Sequence, residues 1–231
     1  GLKVGLRLTI TQSNYNDIDK IFDLLEEEAI PRICFYHLVD NGQRADLAAE
    51  RLTLSQTRKV VDLIAFRTRL LFQKGLKPEV LTVDNPADGP YLYLKLKEEG
   101  LNQEADDVLE LLRYNGGASS GHGVGAISWN GEVYPDQFWR TRSLGSIREK
   151  SFADIWLDPT NAFLRQLKDK KNYVTGRCRF CGFLDACGGG LRARADFVLG
   201  DLWASDPACY LTDAEISINF NELGSYLAAE M

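Results

Sequence analysis

Four of the five cysteines, Cys178, Cys181, Cys187 and Cys209, fall within 32 residues late in the chain. Two thiolates at C-x2-C spacing can clasp one metal centre from a tight turn, and a later pair can close the shell from elsewhere in the fold. Gly182, Gly188, Gly189 and Gly190 let the backbone wrap closely there and aim N–H groups at sulfur. An odd count with this clustering argues against a secreted disulfide framework and for a metal site in a reducing, cytoplasmic setting. On spacing alone, an iron–sulfur cluster and a structural zinc both remain open. Cys34 stands apart, inside an expected buried strand, and reads as a small core residue.

The bulk numbers narrow the rest. A net charge of -6 argues against a nucleic-acid sleeve, which needs a basic surface. No apolar run reaches the ~18–20 residues needed to cross a bilayer, so no membrane-spanning segment is expected. The chain opens with Gly1, and a strand begins almost at once, which reads as a fragment or a processed chain.

The first half alternates strand and helix. Strands are expected over 4–11, 32–39 and 79–84. Ser13-Asn-Tyr-Asn-Asp17 supplies turn and capping chemistry for a helix carrying Ile18, Ile21, Phe22, Leu24 and Leu25 at helical spacing. After a polar loop from Asp40 to Glu50, Thr53 or Ser55 caps a long helix reaching Lys74. A further helical stretch follows Asn85-Pro-Ala-Asp-Gly-Pro90 and runs to about Arg113. Strands separated by such helices imply parallel βαβ units, hence an α/β fold.

Glycine-rich residues 114–125 mark an expected boundary between domains 1–113 and 114–231. No Gly-Lys-Ser/Thr ending is present, so a flexible or ligand-facing loop is expected there rather than a phosphate cradle. Asn130-Gly131, between Ala126-Ile-Ser-Trp129 and Glu132-Val-Tyr134, is a strong hairpin signal. One helix is expected from Ser151 to about Lys168, and the cysteine region beyond it is expected to be rich in loops. Trp129, Trp139, Trp156 and Trp203 read as core residues, with Trp139 a candidate to line a flat ligand.

Several segments, taken in order, carry a resemblance. Gly125-Ala-Ile-Ser-Trp-Asn-Gly-Glu-Val-Tyr-Pro135, Ser143-Leu-Gly-Ser-Ile147, Ser151-Phe-Ala-Asp-Ile-Trp156 and Cys178-x2-Cys181-x5-Cys187-Gly-Gly resemble the SPASM-type auxiliary-cluster domain of radical S-adenosylmethionine enzymes. Tyr36-His-Leu-Val39, Asn85-Pro-Ala-Asp-Gly89, Asn115-Gly-Gly117 and Tyr134-Pro-Asp-Gln-Phe-Trp139 are similar to the NirJ and AhbC enzymes of that superfamily, which act on siroheme-derived tetrapyrroles in haem d1 and alternative haem biosynthesis.

The resemblance implies half of a partial (β/α)6 barrel, followed by a small, loop-rich SPASM-like iron–sulfur domain with a β-hairpin. It favours one [4Fe-4S] cluster over zinc, held by Cys178, Cys181, Cys187 and Cys209. S-adenosylmethionine and a second [4Fe-4S] cluster belong to the intact enzyme. It further implies that Arg7 or its neighbours approach the S-adenosylmethionine carboxylate, and that His122 and Asp136 are catalytic candidates near substrate; His37 is a third candidate from its place at a strand's carboxy end, where barrel active sites collect. One or two of Arg140, Arg142, Arg148, Arg177, Arg179, Arg192 and Arg194 would meet tetrapyrrole carboxylates.

The partners implied are an iron tetrapyrrole, an electron donor, and either the missing amino-terminal half or a second copy along the exposed first strand. There are departures from the family. Asp136 and Leu191 stand where a full SPASM domain has cysteines, so one auxiliary cluster is expected. No C-x3-C-x2-C loop is present, so this chain is expected not to cleave S-adenosylmethionine by itself. The alternatives are a peptide-modifying SPASM enzyme and a non-catalytic iron–sulfur or zinc binding module.

Overall fold

The computed structural model describes residues 4–39 and 45–216. Residues 40–44 of the expected polar loop, the first three residues, and residues 217–231 of the second expected domain lie outside them. The chain divides into two compact units: residues up to Asp88 with Ala208–Tyr210, and Gly89 to Pro207 with Leu211 onward.

The first unit is a parallel βαβαβ arrangement. Its sheet has the order β1 (Leu6–Ile10), β2 (Arg32–His37), β3 (Glu79–Val83), with Leu6 opposite Ile33 and Ile33 opposite Val80. Side chains alternate across a strand. Leu6, Leu8 and Ile10 therefore join Ile33 and Phe35 on the face covered by α1 (Ile18–Glu27) and α2 (Leu54–Gln73), where Phe22, Val60 and Ile64 complete the core. Phe22 stacks on Phe35 with centroids 5.5 Å apart. Arg7 and Thr9 are exposed on the opposite face. Thr53 caps α2 in a reciprocal box: Gln56 N donates to Thr53 Oγ1 at 3.2 Å, and Thr53 N donates to Gln56 Oε1 at 2.8 Å. Asp17 makes no side-chain capping bond at α1; Asn14 instead ties the approach, its amide donating to Thr9 O at 2.9 Å. Among the described residues, β1 pairs with β2 alone, so its other edge is open.

The second unit begins with α3 (Asp88–Glu98) and α4 (Asn102–Asn115), where one helix was expected. The break falls at Gly100, whose φ of 78° is left-handed backbone that cannot continue a helix. The Asn130-Gly131 turn joins β4 (Ala126–Ile127) to β5 (Glu132–Tyr134), and an unforeseen third strand, β6 (Gly145–Ser146), pairs on the far side of β5.

The expected helix from Ser151 is also two: α5 (Phe152–Trp156), capped by Ser151, and α6 (Ala162–Lys168), capped by Asn161. Pro159 lies between them; it has no N–H to donate and disfavours helical backbone at Asp158. Beyond lie the short helices α7 (Gly176–Arg179) and α8 (Leu184–Cys187), and α9 (Arg192–Leu199), which sequence reading took for loop. Residues 192–195 of α9 are all buried, including Arg192 and Arg194, so the helix carries no apolar stripe to betray it. Trp139 is fully buried and cannot line a ligand, whereas Trp129 is 87% exposed and is not core. Among the described residues no helix is long and apolar enough to cross a membrane.

Candidate metal centre

The cysteine turn is built by local backbone. Cys178 lies in α7, and Cys181 N donates to Cys178 O at 3.3 Å, closing the C-x2-C loop. Phe183 N then donates to Cys181 Sγ at 3.4 Å. Cys187 ends α8, and Gly188, Gly189 and Gly190 follow with φ of 62°, 79° and 81°. This run needs glycine for space as well as for backbone. A Cβ on Gly190 would collide with the Asp206 carboxylate, which accepts from Leu191 N at 2.7 Å. Gly190→Ala is therefore expected to cost about 1–2 kcal/mol from the left-handed backbone alone, with displacement of Asp206 adding to it. A lowered thermal midpoint checks this.

Buried cations surround the thiols. Lys170 and Arg192 are 7% and 1% exposed. Burial pushes the Lys170 ammonium down to about 8, against the attraction of Cys187. Burial likewise lowers Arg192, opposed by Asp206, Cys178 and Cys187. Burial raises the Cys181 thiol, with Cys178 acting in the same sense and the Phe183 amide and Arg177 acting against it. Arg192 donates to the carbonyls of Leu202 at 2.9 Å, Ala204 at 2.6 Å and Gly189. Its Nε and that of Arg177 are buried without a hydrogen-bond partner among the described residues. Arg194 forms a two-point ion pair with Asp206, both bonds at 2.8 Å.

Cys178 and Cys187 thus lie within electrostatic reach of Arg192, Cys187 also of Lys170, and Cys181 within reach of Cys178 and Arg177. Among the described residues, however, no group of three or more His, Cys, Asp or Glu is gathered to metal-ligand spacing. The surroundings nonetheless fit an anionic, sulfur-ligated group. Thiols stand beside buried positive charge, an N–H points at sulfur, and among the described residues two buried guanidinium nitrogens lack acceptors. None of the five cysteines is in a disulfide.

Cys209 belongs to the first unit. Its neighbours are held there: Asn85 Nδ2 donates to Ala208 O at 3.2 Å, and Tyr210 OH donates to Asp88 Oδ1 at 2.8 Å. His37, at the end of β2, meets the other Asp88 oxygen through Nε2 at 2.7 Å. Arg7 donates to Tyr36 OH and lies 4.6 Å from its ring centroid. His122 is exposed, its Nδ1 2.9 Å from Ser119 O. Asp136 is buried and fully engaged, accepting from Ser120 Oγ at 2.5 Å, Phe138 N at 2.8 Å and Trp139 N at 3.0 Å.

Among the arginines, Arg142 pairs with Asp196, while Arg148, Arg177 and Arg179 donate to backbone carbonyls. Arg140 is exposed and lies 5.8 Å from the Trp129 ring centroid. Sequence reading missed Lys170 and Asp206 beside the cysteines. It noted Asn85-Pro-Ala-Asp88 only as a resemblance, although a buried Asn and Asp in a turn are the signal of a side-chain staple.

Residues 121–182 match SPASM, an iron–sulfur cluster-binding domain. The chain is 52% identical over 219 residues to Fe-coproporphyrin III synthase of Methanosarcina barkeri, covering 94% of this chain and 55% of that protein. It is 34% identical over 216 residues to pre-heme d1 synthase of Dinoroseobacter shibae, covering 93% and 53%. To AdoMet-dependent heme synthase of Nitratidesulfovibrio vulgaris the identity is 26%, over 90% of this chain and 54% of that one. The solved structure of anSMEcpe with bound AdoMet shares the fold, with a TM-score of 0.60 at 15% identity over 98% of this chain and 55% of that one. The chain spans about half the length of these relatives. Residues 121–182 thus match an iron–sulfur cluster-binding domain, and over about half of those proteins' length the chain is similar to ones named Fe-coproporphyrin III synthase, pre-heme d1 synthase and AdoMet-dependent heme synthase.

Proposed function

We propose that this chain is the cluster-bearing half of a radical S-adenosylmethionine enzyme that modifies side chains of a siroheme-derived iron tetrapyrrole. The observation that supports the reading is the pair Cys178 and Cys187 beside buried Arg192, with Lys170 at Cys187 and Cys181 next to Cys178. The 52% identity to a protein named for an iron coproporphyrin supports the substrate class. Cys178, Cys181, Cys187 and Cys209 are the ligands of one [4Fe-4S] cluster. Bound there with every iron capped by thiolate, such a cluster would supply one-electron transfer to or from a donor protein.

The chain's own residues bind and orient. Buried Lys170 and Arg192 offset the negative charge of the thiolates. Arg140, over exposed Trp129, is the arginine placed to meet substrate carboxylates. Arg7 and His122, both exposed, can meet S-adenosylmethionine and substrate, whereas Asp136 acts by ordering the backbone after the hairpin. The reducing chemistry of such a site points to the cytoplasm.

With no C-x3-C-x2-C loop and hence without the second cluster, the chain alone does not cleave S-adenosylmethionine. Incubation with S-adenosylmethionine and a strong reductant is expected to give no 5′-deoxyadenosine, while immobilised chain retains iron coproporphyrin III over a peptide. Release of 5′-deoxyadenosine, or retention of the peptide instead, would contradict the reading. The open edge of β1 is covered by the remaining half or by a second copy. Light scattering on the chain alone is expected to show dimers or larger species, and a strict monomer counts against that pairing.

A further inference from the structure

His37 lies at the end of the middle strand of its sheet, paired with Ile10 of β1. By strand alternation it shares the face of Ile33 and Phe35, which carries the helices, and not the face of Arg7 and Tyr36. Its ring and the Asp88 carboxylate are 10% and 9% exposed. Both oxygens of Asp88 are taken, one by His37 at 2.7 Å and the other by the Tyr210 hydroxyl at 2.8 Å. Three residues earlier, Asn85 accepts from Ala87 N at 3.3 Å and donates to Ala208 O at 3.2 Å. This turn starts from Asp84 at a φ of 70°, a conformation that a non-glycine residue adopts only when its surroundings impose it. The two bonds to the tripeptide land on Ala208 and Tyr210, one on each side of Cys209.

We propose that Asn85 and Asp88 are positioning residues that hold the chain on both sides of Cys209, at the Ala208 carbonyl and the Tyr210 side-chain hydroxyl, and so aim its thiol, with His37 anchoring Asp88 to the rigid end of β2. The ring of His37 then serves as support and not as an acid or base. Buried, fully satisfied side-chain bonds of this kind fix geometry, because breaking one leaves a buried polar group unpaired. The inference rests on the reading of Cys209 as a cluster ligand.

The test uses the full chain in two parallel preparations, one loaded with iron and sulfide and one stripped by chelator. In the stripped chain, pulsed alkylation mapped by mass spectrometry is expected to find Cys209 protected relative to denatured chain. Tyr210→Phe and Asn85→Ser should each speed its reaction about tenfold, the ratio carried by loss of one such hydrogen bond. Buried Cys34 should be unchanged, which separates loss of grip from loss of fold. In the loaded chain, the same variants should convert on mild oxidation to a three-iron form seen by electron paramagnetic resonance, while wild type keeps four irons.

A Cys209 that reacts in wild type as fast as in denatured chain overturns the grip without reference to any variant. So do variant rates within about twofold of wild type. Faster alkylation with an unaltered loaded spectrum overturns the aiming role. If no cluster forms in wild type, the cluster reading fails, and the stripped preparation still decides the grip.

Discussion

Asp206→Ala is expected to cost about 3–5 kcal/mol, because it strips the Arg194 guanidinium of a carboxylate inside the protein. The two side chains are only 4% and 3% exposed, so water cannot replace the lost charge. Arg192, also buried, adds positive charge nearby. For a chain of this length the loss corresponds to a fall in thermal midpoint on the order of 10 °C. Replacing both partners at once, as in Arg194→Met with Asp206→Leu, should be milder than the single change, since the Arg194 charge is then no longer buried without its carboxylate, and only the weaker attraction of Asp206 for buried Arg192 is lost. Calorimetry of the single and double variants checks both statements. The consequence reaches the cysteines, because Asp206 also holds Leu191 N, directly after the glycine run that follows Cys187.

Removal of any one of Cys178, Cys181, Cys187 or Cys209 is expected to abolish the four-iron cluster. A cubane capped by four thiolates holds about four irons per chain. Each Cys→Ala variant, reconstituted under anaerobic conditions, should fall well below that content and lose the broad visible absorbance. Cys34→Ala is the control. That side chain is buried in β2, and its loss should leave iron content unchanged. The contrast between one silent cysteine and four essential ones separates a cluster from incidental iron on thiols.

The elements that sequence reading recovered are those governed by local chemistry. β-Branched residues marked the first strand, Thr53 or Ser55 was the expected cap of α2 and Thr53 fills that place, and Asn130-Gly131 signalled the hairpin. The misses follow from two physical causes. Gly100 and Pro159 each broke a periodic apolar pattern that continues on both sides, so the periodicity outran the helix. Arg192 and Arg194 look like surface charge in a sequence, yet Asp206 and the carbonyls of 189, 202 and 204 let them be buried. The site was legible as a set of cysteines but not in its surroundings. The bond from Tyr210 to Asp88 spans 122 residues of sequence, and no spacing rule reaches that far.

Mössbauer spectroscopy with paired iron and sulfide analysis of the anaerobically reconstituted chain bears most directly on the nature of this thiol site. The expected result is a single cubane-type spectrum with about four irons and about four sulfides per chain. A colourless protein that binds one zinc, or iron without sulfide, would contradict it.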